Sequence, residues 1–307
     1  MGESYAEGYL HDTWLLHLDE NAEVLWSRRI SAPGVQLSAR ALVADAEGVV
    51  LIGDTYDVAT VVERGAALRI DQNGALVWST AIMVQDCSDS SEERIWLTSA
   101  QRVANDDVLV GAAVQAYGYE GAVLRVKPDG TVTSYAAHRA QESAHLGPLV
   151  TSLVELPTSG FLAVGNYSGA QATDDWYLAG LDAAGAVQWA FTLGGHDNPA
   201  NDLYDSDTYP SVTLTKDGGA LLYGFTDAIT PEDGGMVVKV PARSGELTLD
   251  PVALPHYAPL ELAAGGTCMV SEPLTVVVSD DAVAPQEPLG VFVQDAALVP
   301  VDLAASP

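Results

Sequence analysis

GESYAEGYLHDTWLLHLDENAEVLWS, residues Gly2 to Ser27, is answered further along the chain by GDTYDVATVVERGAALRIDQNGALVWS, residues Gly53 to Ser79. Each stretch opens on glycine, crosses a short loop, runs through an apolar strand, turns on Asp and Asn, and ends in Trp-Ser. The second half of this unit returns as AVLRVKPDGTVTSY, WYLAGLDAAGAVQWA, MVVKVPARSGELTL and, most weakly, GVFVQDAALVPV. Its anchor residues are Leu18, Ile70, Val126, Leu181, Val240 and Val293, at spacings of 52, 56, 55, 59 and 53 residues.

A different hairpin lies between successive copies: ARALVADAEGVVLIG, WLTSAQRVANDDVLVG, VTSLVELPTSGFLAVG, SVTLTKDGGALLYG and TCMVSEPLTVVVS. Gly53, Gly111, Gly165 and Gly224 close its second strand. The intervening turns are rich in Asp, Asn and Gly, the residues that tolerate positive φ in tight two-stranded connections. No segment sustains a helical period, and strands of four to seven residues dominate.

Four antiparallel strands recurring at this period describe the blades of a β-propeller. The expectation is therefore an all-β chain forming one propeller domain over residues 1–307. It has six units with one incomplete blade, or alternatively five blades and a displaced terminal hairpin. Residues 285–307, with Pro288 and Pro300, match the repeat least. The chain holds six of the Trp-type hairpins and five of the other, so another segment or chain is expected to complete the ring. Trp26, Trp78, Tyr135 and Trp189 fall on the fourth strand of their units, where large rings are expected to pack between blades. His17 takes the third-strand position held elsewhere by Arg69, Arg125 and Lys239, and is expected to snorkel between blades.

The 48% hydrophobic content is enough to build a core. Lys and Arg number 13 against 42 acidic residues, a formal net charge of −29. That charge opposes binding to nucleic acid or anionic lipid and favours divalent cations or basic partners, besides promoting solubility. No apolar window reaches the length of a transmembrane helix, and the first 30 residues lack a signal-peptide pattern.

The run Asp12-x-Trp14-x-Leu16-x-Leu18-Asp19 with Trp26, and its echoes at Asp71, Gly74 and Trp78 and at Asp175, Leu181, Asp182, Gly185 and Trp189, resembles the β-propeller repeats of bacterial secreted and surface proteins. The resemblance implies an extracellular or cell-surface setting. The blades are also distantly similar to those of quinoprotein dehydrogenases. Leu249 and Pro300 stand where two of the repeat's Trp residues would be, and no cofactor-binding set accompanies them, so no redox role is carried over.

In a blade of this kind, the links from second to third strand and from fourth strand to the next blade share one face. The longer connections fall there: 54–64, 83–94, 112–120, 139–147, 166–174, 194–209, 226–234 and 251–266. Binding residues concentrate in such loops. His145, His196, Asp197, Tyr204 and Tyr209 are the candidate ligand-binding residues. Asp202, Asp205 and Asp207 are a candidate Ca²⁺ set, closely spaced oxygen donors without the full EF-hand pattern. His11, His138 and His256 also lie in or beside this face. Cys87 and Cys268 could form a disulfide between blades, or remain two separate thiols.

No nucleophile elbow, zinc-protease, phosphate-loop or dinucleotide motif is present. The reading is a binding or scaffold module that recognises a protein or a glycan through its loop-rich face. The alternatives are a propeller hydrolase or lyase with its site at the central channel, and a structural subunit of a larger assembly.

Overall fold

A computed structural model describes residues 2–5, 11–85, 94–103, 105–115, 119–140, 148–157, 160–168, 174–183, 185–193, 210–226, 234–240, 242–243, 246–247, 257–259, 262–264 and 268–280. These residues form strands and turns, with no helix among them. The first sheet contains β1 (Gly2–Tyr5), β2 (His11–Leu18) and β3 (Val24–Ser31). The second contains β4 (Val35–Asp45), β5 (Gly48–Asp57), β6 (Val62–Asp71) and β7 (Leu76–Gln85). The third contains β8 (Arg94–Arg102), β9 (Val108–Gln115), β10 (Tyr119–Val126) and β11 (Val132–Ala140). The fourth contains β12 (Pro148–Glu155), β13 (Phe161–Ser168), β14 (Asp174–Leu181) and β15 (Val187–Leu193). The fifth contains β16 (Ser211–Leu214), β17 (Ala220–Thr226) and β18 (Gly234–Val240). Each is an antiparallel meander in chain order.

A small hairpin joins β19 (Ala242–Arg243) to β20 (Glu246–Leu247). Four short strands follow: β21 (Tyr257–Pro259), β22 (Leu262–Ala264), β23 (Cys268–Pro273) and β24 (Val277–Asp280). They join the first four sheets at the edges formed by β15, β11, β7 and β3 respectively.

The central strands read as nearly unbroken apolar runs because both of their faces are covered. Val50 and Ile52 of β5 pack with Ile95, Leu97 and Val110 of the third sheet. Leu51, between them, packs with Leu15 and Ile30 of the first. Two more clusters join the third sheet to the fourth and the fourth to the fifth. Four apolar seams thus connect five sheets in sequence order. Each large aliphatic side chain buried there contributes about 1.5–3 kcal/mol.

The turns behave as their composition requires. In Asp71–Ala75 the Asp71 carboxylate accepts hydrogen bonds from the backbone N–H groups of Asn73 and Ala75, each at 2.8 Å, and Gly74 takes φ +80°. The N–H of Ala75 holds the Asp71 carboxyl below its ordinary pKa. Gly53 and Gly165 are needed for a different reason. They face irregular pairing in the first strands of their sheets, between Ala39 and Ala41 and between Val150 and Ser152. A Cβ at Gly53 would sit 2.0 Å from the Ser38 carbonyl oxygen, and one at Gly165 1.6 Å from that of Leu149.

Several expectations are corrected. Gly111 is offset from this pattern: Val126 pairs with Val108 and Ile70 with Val49, which puts Ala112 rather than Gly111 at the Gly53 position. The stretch read as the fifth of the intervening hairpins, TCMVSEPLTVVVS, is split: β23 pairs with β7 and β24 with β3, in different sheets. The connection read as 54–64 is mostly strand, because Asp54 to Asp57 pair with Gly65 to Val62. His17 does not enter a seam. It is exposed, opposite Trp26 in register, and its ring meets the indole edge-on at 5.2 Å.

The residues His17 was aligned with do act as cations. Arg69 pairs with Asp45 at 2.9 Å, Arg125 with Asp107 at 3.0 Å, and Lys239 with Asp217 at 2.5 Å. Asp107 and Asp217 come from the turn between the first two strands of their sheets, and Asp45 is the last residue of β4. In the fourth sheet that turn, Pro157 to Gly160, has no acid, and Gly180 stands opposite Trp189 where Arg69 stands opposite Trp78.

Candidate functional site

His145, His196, Asp197, Tyr204, Tyr209, Asp202, Asp205, Asp207 and Cys87 lie outside the described residues, as do His196's loop neighbours and His256. Cys268 opens β23, with its backbone opposite Gln85. His138 belongs to β11 and is buried, with no hydrogen-bond partner at Nε2 among the described residues. Burial pushes its pKa down to about 4. Among the described residues no group of three or more His, Cys, Asp or Glu gathers as metal ligands.

The structure assembles a different set. A cleft of about 320 Å³ is lined by Gln36, Ser38 and Arg40 of β4, Asp54, Thr55 and Tyr56 of β5, Glu63 of β6 and Trp96 of β8. Three strands bring the second-sheet residues into rows: Gln36 lies opposite Tyr56, Tyr56 opposite Glu63, and Ser38 opposite Asp54. Alternation along β5 puts Asp54 and Tyr56 on the face that carries Val50 and Ile52. The apolar seam between the second and third sheets therefore gives way to polar and aromatic groups at this end.

Asp54 is the most constrained of them. It is 8% exposed, receives the Arg40 Nε–H at 2.9 Å on one oxygen and the backbone N–H of Leu97 at 2.7 Å on the other. Burial pushes its carboxyl up to about 6, against the opposing pull of Arg40. Glu63 adds negative charge nearby and lies 3.8 Å from Arg94. The cleft thus holds one guanidinium, two carboxylates, an amide, hydroxyls and two aromatic rings.

Asp54 also pins the two sheets together. Comparable bonds cross the other boundaries: the Thr13 hydroxyl donates to the Leu37 carbonyl at 2.9 Å, that of Thr98 to the Val150 carbonyl, and that of Thr151 to the Pro210 carbonyl at 2.6 Å. At those places a neutral hydroxyl does the work. In the third, fourth and fifth sheets the register equivalents of Asp54 are the uncharged Ala113, Asn166 and Phe225, and in the first sheet, where the Thr13 hydroxyl makes the crossing bond, it is Glu3. A buried acid is not needed merely to join two sheets here.

Sequence reasoning missed this site because its residues occur in strands. The available signal was Asp-Thr-Tyr directly after Gly53, polar residues continuing an apolar strand. No protein-family model matches the chain, and no curated protein matches it significantly.

Proposed function

We propose that the chain is a β-propeller binding module of a secreted or cell-surface protein and that it recognises a glycan at the cleft between the second and third sheets. The sequential sheets with an apolar seam at each boundary support the propeller. The observation that carries the binding reading is the composition of the cleft. Trp96 and Tyr56 offer flat apolar surface with a polar edge, suited to the C–H face of a sugar ring. Arg40, Gln36, Asp54 and Glu63 supply donors and acceptors for its hydroxyls, with the geometric selectivity of charge-assisted bonds. The net charge of −29 favours neutral or cationic glycans over polyanions. A Ca²⁺ ion held by Asp202, Asp205 and Asp207 would order their own loop and belongs to the same reading.

The test is titration of neutral, amino and acidic oligosaccharides against the full chain by calorimetry and tryptophan fluorescence. A neutral or amino sugar should bind, and Trp96→Ala and Arg40→Ala should each weaken it at least tenfold. Binding by none of the sugars, or binding unchanged in both variants, rejects the cleft as a glycan site.

Asp54 favours a second reading, a hydrolase or lyase. A carboxyl raised to about 6 beside Glu63 could exchange a proton with a bound sugar near neutral pH. Turnover of the bound glycan, lost in Asp54→Asn while binding persists, would select this reading over simple binding.

A further inference from the structure

The strands between residues 257 and 280 carry an inference independent of the cleft. β21 pairs with β15, β22 with β11, β23 with β7 and β24 with β3, always antiparallel. This part of the chain thus visits the fourth, third, second and first sheets in the reverse of chain order. The links are only two or three residues: 260–261, 265–267 and 274–276. At the last link Leu274 N–H donates to the Ser79 carbonyl at 3.2 Å, and Arg64 and Glu272 form an ion pair at 3.1 Å.

Over residues 271–279 the attachment is mainly through backbone. None of residues 271–279 is buried. Leu274, Val276 and Val278 rest half-covered against the cluster between the first two sheets, while their neighbours in sequence face outward. The sheets themselves are held by fully buried Leu51, Ile52, Leu68 and Leu109.

We propose that the outer edges of the first four sheets form one surface for an extended peptide, that the chain's own residues 257–280 occupy it as a strap, and that the strap lifts off as a unit while the sheets stay folded. Open strand edges present unpaired N–H and C=O groups that accept an added strand. Main-chain bonds at a solvent-exposed edge barely offset the entropy of ordering the added segment. With residues 271–279 burying little apolar surface, the strap is held less firmly than the sheets and opens first.

Amide hydrogen exchange on the full chain tests this. Edge amides of β3 and β7 that face the strap should exchange together with those of β23 and β24. They should exchange at least tenfold slower than free edge amides and at least tenfold faster than the central amides of β5, β9 and β13. In the full chain carrying Val270→Pro and Val278→Pro, protection should be lost at β3 and β7 and kept in the central strands. That variant should also bind a fluorescein-labelled peptide copying residues 257–280 at least tenfold more tightly than the unsubstituted chain does. The proposal is overturned if the edge amides of the unsubstituted chain exchange at free rates, or only with the central strands. It is equally overturned if the two prolines unfold the sheets, or if the peptide fails to discriminate.

Discussion

The indole Nε1 of Trp26 donates a 2.7 Å hydrogen bond to the carbonyl oxygen of Gln72 in the next sheet, and Trp78 repeats the bond one sheet further on, to Pro128 at 2.9 Å. Both acceptors lie in the turn between the third and fourth strands. Two residues beyond each Trp, Arg28 and Thr80 reach the same turns, at the carbonyl oxygens of Gly74 and Gly130. At these two boundaries the aromatic is therefore a fastener from one sheet to the turn of its neighbour, and it packs against the apolar seam as well.

Trp78→Phe keeps most of the ring and removes the donor, leaving the Pro128 carbonyl without it. The urea midpoint should fall by the equivalent of about 1–2 kcal/mol. Trp14→Phe is the comparison, since Trp14 Nε1 has no hydrogen-bond partner among the described residues. Its loss should be clearly smaller. Equal losses would show that ring volume alone matters.

Backbone geometry gives two substitutions of opposite sign. Ala22 occupies the turn position filled elsewhere by Gly74 and Gly185, at φ 63°. Ala22→Gly should stabilise the chain by about 0.5–1 kcal/mol, the relief of a left-handed alanine less the added chain entropy. Gly165→Ala drives a Cβ into the Leu149 backbone and should cost about 3 kcal/mol or more. Thermal melts of the two variants settle both signs.

Asp54 and His138 oppose each other in acid. Burial raises Asp54 from 3.8 to about 6, so its contribution to stability is fully present below pH 3.8 and is lost as pH rises through 6. Burial lowers His138 from 6.5 to about 4, so its contribution is present above pH 6.5 and is lost as pH falls through 4. Between pH 4 and 6 the two slopes partly cancel. Asp54→Asn should leave a chain that weakens towards pH 4, and His138→Gln one that weakens towards pH 6. Urea midpoints across this range check the pair; a parent curve steeper than both variants contradicts it.

The repeated ion pairs should differ in worth. Arg69 and Asp45 have side chains only 9% and 10% exposed, and Arg69 also reaches Glu47 at 3.2 Å. Asp45→Ala leaves the buried guanidinium with only the exposed Glu47 as an acidic partner and should cost about 2–3 kcal/mol. Asp217→Ala removes a pair whose side chains are half exposed, and its effect should be small and should vanish in high salt. Denaturant titrations at low and high salt distinguish the two.

As far as Val240 the sequence by itself determined which strands form, the turns between them and the order in which consecutive strands pair, though not how far each strand runs. These rest on local interactions: alternation along a strand, a carboxylate capping amides two and four residues on, and a glycine at positive φ. Leu18, Val126, Leu181 and Val240 mark third-strand ends as the repeat spacing implies. Only the tertiary structure decided which strands meet across long separations. Backbone hydrogen bonds carry no residue code, so nothing in CMVSEP or VVSD names β7 or β3 as a partner. The same holds for the cleft, where β4, β5, β6 and β8 bring Gln36 and Trp96 together over sixty positions of chain. Loops suggested where function would lie; the polar end of a seam, which exists only once two sheets have packed, is where the charged and aromatic groups converge.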